Sequence, residues 1–387
     1  MNLQETEAER AFRAEVRAWM DTHLCGEFEP LRHASGLGSP GYDPALAKRW
    51  EQQLAAGGWT GLGWPRCHGG RELPMSHEVI FHEEYVRCGG PGRLGHIGET
   101  LLAPTLIAHG TPEQQQRFLP GILAGQTYWA QGYSEPGAGS DLAAVRSRAR
   151  RDPDSGDWII DGQKVWTSWA HESDWIFVLA RCEPGSLRHK GLIMLLVPLH
   201  QPGVTLRSIR QITGDAEFNE VFFDGACTEG ALHLGAPGQG WAVAMFLLGC
   251  ERGVSTLGQQ AHFRSELEQV IAVARRNGAA SDPLLRQRIA QAALGLQTLR
   301  SHALRISSES ASARAASIAK YAWSNWRRAL GELAMDVLGA DGDIVGDDPL
   351  RQSLQRLWLV SRADTIYAGS NEIQLNLIAE RALGMPR

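Results

Sequence analysis

Three short stretches of the sequence carry residue types that could do chemistry. The first is Tyr133-Ser134-Glu135-Pro136-Gly137-Ala138-Gly139-Ser140-Asp141. Its hydroxyls and backbone amides suit the polar edge of a ring or an anion, although composition alone makes it an ordinary loop. The second is Trp166-Thr167-Ser168, where the tryptophan by itself reads as a core aromatic on a strand. The third is Glu251-Arg252, just beyond the apolar run Trp241–Leu248. An isolated E-R dipeptide is ordinarily a solvated ion pair. At the end of an apolar helix the same carboxylate would be half-buried, and desolvation raises a carboxyl pKa as a general base requires. The six cysteines (Cys25, Cys67, Cys88, Cys182, Cys227 and Cys250) have no C-x-x-C spacing, so they read as buried free thiols with no metal or redox motif.

The elements that must position these residues fall into three regions. Residues 1–125 read as a helical domain. In Glu5–Leu24, Ala8, Phe12, Val16, Trp19 and Met20 recur at three- and four-residue spacings and form one apolar face. Asp43-Pro44 reads as a capped helix start with Gly57-Gly58 as its stop, and Thr111-Pro112-Glu113-Gln114 as a capping box. In residues 126–235 the period shortens. Trp158–Ile160, Asp161-Gly162 and Lys164–Trp166 read as strand, tight turn and strand. Trp175–Ala180, Leu192–Val197, Val204–Ile209 and Glu220–Phe223 add further strands, which predicts a small antiparallel barrel or sandwich. In residues 236–387 helix returns over Trp241–Leu257, Phe263–Arg276, Pro283–Ser308, Ala311–Leu338 and Pro349–Ala363. The small residues of Ser307–Ser317 would permit close helix packing. The fold class is therefore α+β, helical, then β, then helical bundle.

The 387 residues suffice for two or three domains, and 43% hydrophobic with 21% charged residues is a globular composition. A formal net charge of −5 leaves no electrostatic footprint for nucleic acid or an anionic membrane. The N-terminus is polar and acidic, unlike a secretory signal. The longest apolar runs, Leu192–Leu199 and Trp241–Leu248, are too short to span a bilayer. The expected location is the cytoplasm.

EPGAGSD, then DGQKVWTS, then AGSNEIQLNLIAERALG near the end resemble, in order and spacing, the acyl-CoA dehydrogenase family. GTPEQQQRFLPGILAG and GAPGQGWAVAM extend the resemblance over essentially the whole chain. It implies an N-terminal helical domain, a middle β domain, a C-terminal four-helix bundle, FAD, an acyl-CoA substrate and a role in fatty-acid and lipid degradation. It also implies an electron-transfer flavoprotein as acceptor and a homotetramer built as a dimer of dimers. Residue by residue, Gln131, Tyr133, Ser134, Gly139 and Ser140 match the family's flavin-contacting loop, with Ser140 also on the thioester side. Trp166, Thr167 and Ser168 match the strand beside the isoalloxazine. Leu338-Gly339 match a stretch that contacts the FAD of a neighbouring subunit, and Ser370 to Glu372 one near its adenosine phosphates. The family's R-x-x-F-G signature is replaced by Arg275-Arg276-Asn277-Gly278, which leaves the contact to the neighbouring pyrophosphate without its aromatic.

The resemblance raises one chemical problem. In DTIYAGSNEIQLN, the position that commonly carries the family's catalytic glutamate is Ala368. The implied reaction needs a base for the α-proton, an acceptor for the β-hydride and hydrogen-bond donors to the thioester oxygen. In the family one donor is the backbone N–H of that loop residue, so alanine removes the carboxylate and keeps the donor. Branches acting on branched chains or sterol side chains place the base on the first bundle helix, in the register of Glu251. Arg252 would then line the substrate pocket. The space left at Ala368 suits a branched, ring-bearing or otherwise bulky acyl group. Two other readings use the same fold: an oxygen-dependent flavin monooxygenase, and one subunit of a heteromeric dehydrogenase that needs a partner.

Overall fold

A computed structural model describes residues 5–36, 39, 41–251, 254–306 and 313–386, with backbone alone for 251, 254–258 and 313–317. By contact density the chain divides into two compact units, one of residues 1–18, 75–87 and 252–387, the other of 19–74 and 88–251.

The second unit is built on a sheet. Helix α1 (Glu7–His23) belongs to it from Trp19 onward, together with α2 (Pro44–Ala56), α4 (Ala103–His109) and α5 (Pro112–Leu123); α3 (Met75–Arg87) lies in the other unit. The cap signals hold. Asp43 accepts from the amides of Ala45 and Leu46 at the start of α2, and Thr111 and Gln114 form the expected capping box on α5. The strands are β1 (Trp129–Gly132), β2 (Arg148–Arg151), β3 (Trp158–Ser168), β4 (Trp175–Arg181), β5 (Leu192–Pro198), β6 (Val204–Ile209), β7 (Phe218–Thr228) and β8 (His233–Gly238). They run in the order β6-β7-β3-β2-β4-β5-β8, with β1 added beside β4. The sheet is mixed and not purely antiparallel, because β1 pairs with β4 in parallel register, Gln131 opposite Phe177.

Both β4 and β5 are buried on both faces, which explains their unbroken apolar sequences. Phe177, Leu179, Met194 and Leu196 face a core shared with α4, α5 and α6 (Gly240–Glu251). The alternate residues Ile176, Val178, Ile193 and Leu195 face a second core with Ile160, Val221 and Phe223. Helix α6, expected to open the bundle, instead seats Val243, Ala244 and Leu247 in the first of these cores. It is apolar nearly all round and therefore needs burial on more than one side.

Asp161-Gly162 is not a hairpin turn. Strand β3 runs straight through it, with a register shift against β7 between Ile160 and Gly162. Gly162 (φ +147°) lies so close to Ser147 that a β-carbon would sit 2.7 Å from its Cα. The hairpin turn lies earlier, at Asp152–Asp157, between the antiparallel β2 and β3.

In the first unit α7 (Val254–Arg276), α8 (Pro283–Ile306), α9 (Ala313–Leu338) and α10 (Pro349–Ser361) form a four-helix core around Val270, Trp323, Leu330, Val337 and Leu354, and the short α11 (Asn371–Leu377) follows. The break expected between Leu257 and Phe263 is absent, since α7 is continuous there. Arg13 and Arg17 on α1 pair with the buried Glu84 of α3. Of the small-residue stretch Ser307–Ser317, residues 307–312 lie outside the described residues and 313–317 give only the backbone of the first turns of α9. The cysteines are free thiols, but only Cys88 is buried, while Cys25, Cys67 and Cys227 are exposed, contrary to the expectation of buried thiols. Among the described residues no helix is long and apolar enough to cross a membrane.

Candidate active site

The loop after β1 is fixed from inside. Glu135 and Ala138 exchange backbone hydrogen bonds across a tight turn. Beneath it the Lys164 ammonium donates to the Tyr133 carbonyl (3.1 Å), the Glu135 carboxylate (2.8 Å) and the Leu179 carbonyl (2.7 Å). All three of its protons are used. Glu135 also accepts from the amides of Arg146 and Ser147, at 2.6 and 2.9 Å. Burial would raise the Glu135 carboxyl, but the Lys164 ammonium and the Arg146 amide hold it below its usual range. Burial pushes Lys164 itself down to about 8. Tyr133 is buried and Gln131 and Ser134 are half-buried, whereas Gly139 and Ser140 are exposed at the tip. Gly139 and Ser140 are thus presented outward on a base held by these hydrogen bonds, while the Tyr133 hydroxyl is buried beneath.

Strand β3 comes to this loop through the Val165 amide, which donates to the Ser134 carbonyl at 2.9 Å. A second register shift between Lys164 and Thr167 throws Trp166 out of the sheet with φ +59°. Trp166 is 58% exposed, so it is not a core aromatic. Thr167 is wholly buried and its hydroxyl has no hydrogen-bond partner among the described residues. Ser168 is half-buried. A presented indole face, a buried hydroxyl lacking an acceptor and the amide-rich loop beside them fit a flavin ring.

The other expected residues lie in the first unit. Leu338 ends α9 in the helical core, and Gly339 follows with φ +58° and open space where a side chain would be. Arg276 is engaged with Asp348 at 2.7 Å and Asn277 holds the Val337 carbonyl; Arg275 makes no ion pair among the described residues. Ser370 caps α11 by accepting the Ile373 amide, and Glu372 lies in its first turn. Ala368 is exposed at φ +50°, with Gly369 at φ +86°, and the Gln374 amide holds both carbonyls. The Ala368 N–H donates to no acceptor among the described residues. Glu251 is the last residue of α6; its side chain and all of Arg252 lie outside the described residues.

Sequence reasoning missed Lys164, a charge at an inward-facing position of β3, and missed the pair of half-buried Arg327 and buried Asp364 beside the Ala368 turn. The signal for Lys164 was a lysine inside a strand pattern; for the other pair there was none.

The helical, β and helical order of the chain is the fold of FAD-dependent acyl-CoA oxidoreductases. Models for the N-terminal, middle and C-terminal domains of acyl-CoA dehydrogenases match residues 6–126, 130–226 and 238–383. The chain is 56% identical over 381 residues to acyl-CoA dehydrogenase IpdE1 of Mycobacterium tuberculosis, covering 97% of each. Among solved structures it is similar to the Tcur3481-Tcur3483 steroid ACAD, at 29% identity and TM-score 0.88 over 100% of both chains. It is also similar to the ChsE4-ChsE5 complex from Mycobacterium tuberculosis, at 28% identity and TM-score 0.86, again over 100% of both. The chain belongs to the acyl-CoA dehydrogenase family. It is an FAD-dependent oxidoreductase of lipid metabolism acting on acyl-CoA.

Proposed function

We propose that the protein catalyses α,β-dehydrogenation of a bulky, ring-bearing or branched acyl-CoA to the trans-2-enoyl-CoA, with Glu251 as the base. One observation carries this reading: the Ala368 turn has lost the carboxylate but keeps an undonated backbone N–H. That amide would bond the thioester oxygen and acidify the α-proton, while the base comes from the end of α6. Bound FAD supplies the acceptor for the β-hydrogen, leaving as hydride. Gln131, Tyr133, Ser134, Gly139, Ser140, Trp166, Thr167 and Ser168 would hold its ring, and Ser140 with Arg252 the thioester side. Electrons would then pass to an electron-transfer flavoprotein.

The steroid named for one solved neighbour supports a bulky acyl group. The two-component names of that neighbour and of the ChsE4-ChsE5 complex favour a heteromer over a homotetramer. In either assembly Arg275, and not the engaged Arg276, is the cation available for a neighbouring pyrophosphate, while Leu338, Gly339, Ser370 and Glu372 would flank the neighbour's FAD.

The test is anaerobic bleaching of the flavin near 450 nm with straight, branched and ring-bearing acyl-CoAs. Wild type should bleach with a ring-bearing or branched thioester, and Glu251→Gln should bind it without bleaching. Equal bleaching by both would remove Glu251 as the base. Purification without flavin unless a second chain is present would decide for the heteromer.

A further inference from the structure

A stripe of polar residues on α9 faces the Ala368 turn. Lys320, Ser324 and Arg327 are spaced by four and three, one face of a helix, and Lys320 and Ser324 are buried. Polar residues on a buried helix face are unusual unless each has a partner, and here each one does. The Arg327 guanidinium forks to Glu266 of α7 through Nε and Nη2 (2.9 and 2.6 Å). Its Nη1 donates to both oxygens of Asp364, at 3.2 and 3.1 Å. Asp364 is wholly buried. It accepts the Tyr367 hydroxyl at 2.8 Å, and its backbone carbonyl accepts the Lys320 ammonium. On the far side of the turn, Asn371 is bonded to Ser324 (3.0 Å) and Asn325 (3.2 Å).

Two cations and two carboxylates balance within this node, so it needs no outside counter-charge. It holds the chain at Asp364, Tyr367 and Asn371, on both sides of Ala368. Ala368 itself keeps a left-handed conformation that an alanine adopts only where its surroundings impose it. A hydrogen-bond donor to a developing oxyanion is effective only when its position is fixed in advance.

We infer that Arg327 and Asp364 are positioning residues that hold the Ala368 amide in place to polarise the substrate thioester. The inference rests on the reading of that amide as a thioester donor, and it is independent of Glu251. It is tested in the FAD-bound enzyme with a 3-arylacryloyl-CoA, a conjugated product analogue whose absorbance moves to longer wavelength when its thioester oxygen accepts hydrogen bonds. No base takes part in that shift.

Wild type and Glu251→Gln should both give the red shift. Asp364→Asn and Arg327→Met should give less than half of it, with flavin reduction slowed ten- to a hundredfold and FAD content unchanged. The double variant Arg327→Met/Asp364→Leu replaces a buried ion pair by apolar side chains, which proteins commonly tolerate. It should fold, bind the analogue and still lack the shift. A full shift in the double variant, or losses that follow lost FAD in every variant, would overturn the inference alone. No shift in wild type would overturn the reading of the Ala368 amide, and the inference with it.

Discussion

Lys164 and Glu135 form an ion pair of 2.8 Å beneath the loop after β1, with the lysine fully sealed from solvent. Removing one partner of such a pair leaves the other charged and buried, which typically costs about 3–5 kcal/mol. Lys164→Met should therefore lower the urea midpoint strongly and reduce the flavin recovered with the protein. Adding Glu135→Gln removes the stranded charge and keeps an acceptor for one of the two amides, Arg146 or Ser147, so part of the stability should return. An unchanged midpoint in the single variant would refute the role given to this pair.

Thr167 makes the opposite prediction for the apoprotein and the holoprotein. Its buried hydroxyl lacks a partner among the described residues, so Thr167→Val should leave the apoprotein as stable or up to about 1 kcal/mol more stable. If the hydroxyl is completed by the flavin, the same change should weaken FAD binding by roughly tenfold, read by titrating apoprotein with FAD. Unaltered FAD affinity would take Thr167 out of the cofactor site.

Gly162 allows β3 to pass Ser147. Gly162→Ala would place a β-carbon 2.7 Å from backbone at a φ that alanine avoids. We expect a loss of at least about 2 kcal/mol by chemical unfolding, from overpacking and strain together. Wild-type stability would show that the strand does not need the bulge.

Acid should weaken the helical unit through Glu84. Burial acts to raise its carboxyl, but Arg17, Arg87 and Arg13 outweigh this and bring it down to about 2. The folded form then holds its charge where the unfolded chain has already taken up a proton. The stabilisation is present in full above the ordinary carboxyl range near 4.5 and is lost as pH falls toward 2. Wild type should lose roughly 2–3 kcal/mol over that window beyond what Glu84→Gln loses. Parallel stability curves for the two proteins between pH 5 and 3 would count against it.

Much of this protein was legible in its sequence, because much of it depends on neighbours a few residues apart. The caps at Asp43 and Thr111, the short apolar runs that become β4 and β5, and the three long motifs that name the family are local patterns. So is the absence of a carboxylate at Ala368. What only the tertiary structure decided depends on segments far apart in the chain. Asp161-Gly162 has the composition of a hairpin turn, and the approach of Ser147 makes it a bulge. Trp166 reads as core until the second register shift turns it outward. The sequence marks Lys164 as a charge on a strand, but its three acceptors come from the loop after β1 and from β4. Arg327 and Asp364 carry no motif at all; helix packing joins them beside Ala368. Local sequence sets which conformations are cheap, whereas the burial and pairing of charges depend on which distant segments meet.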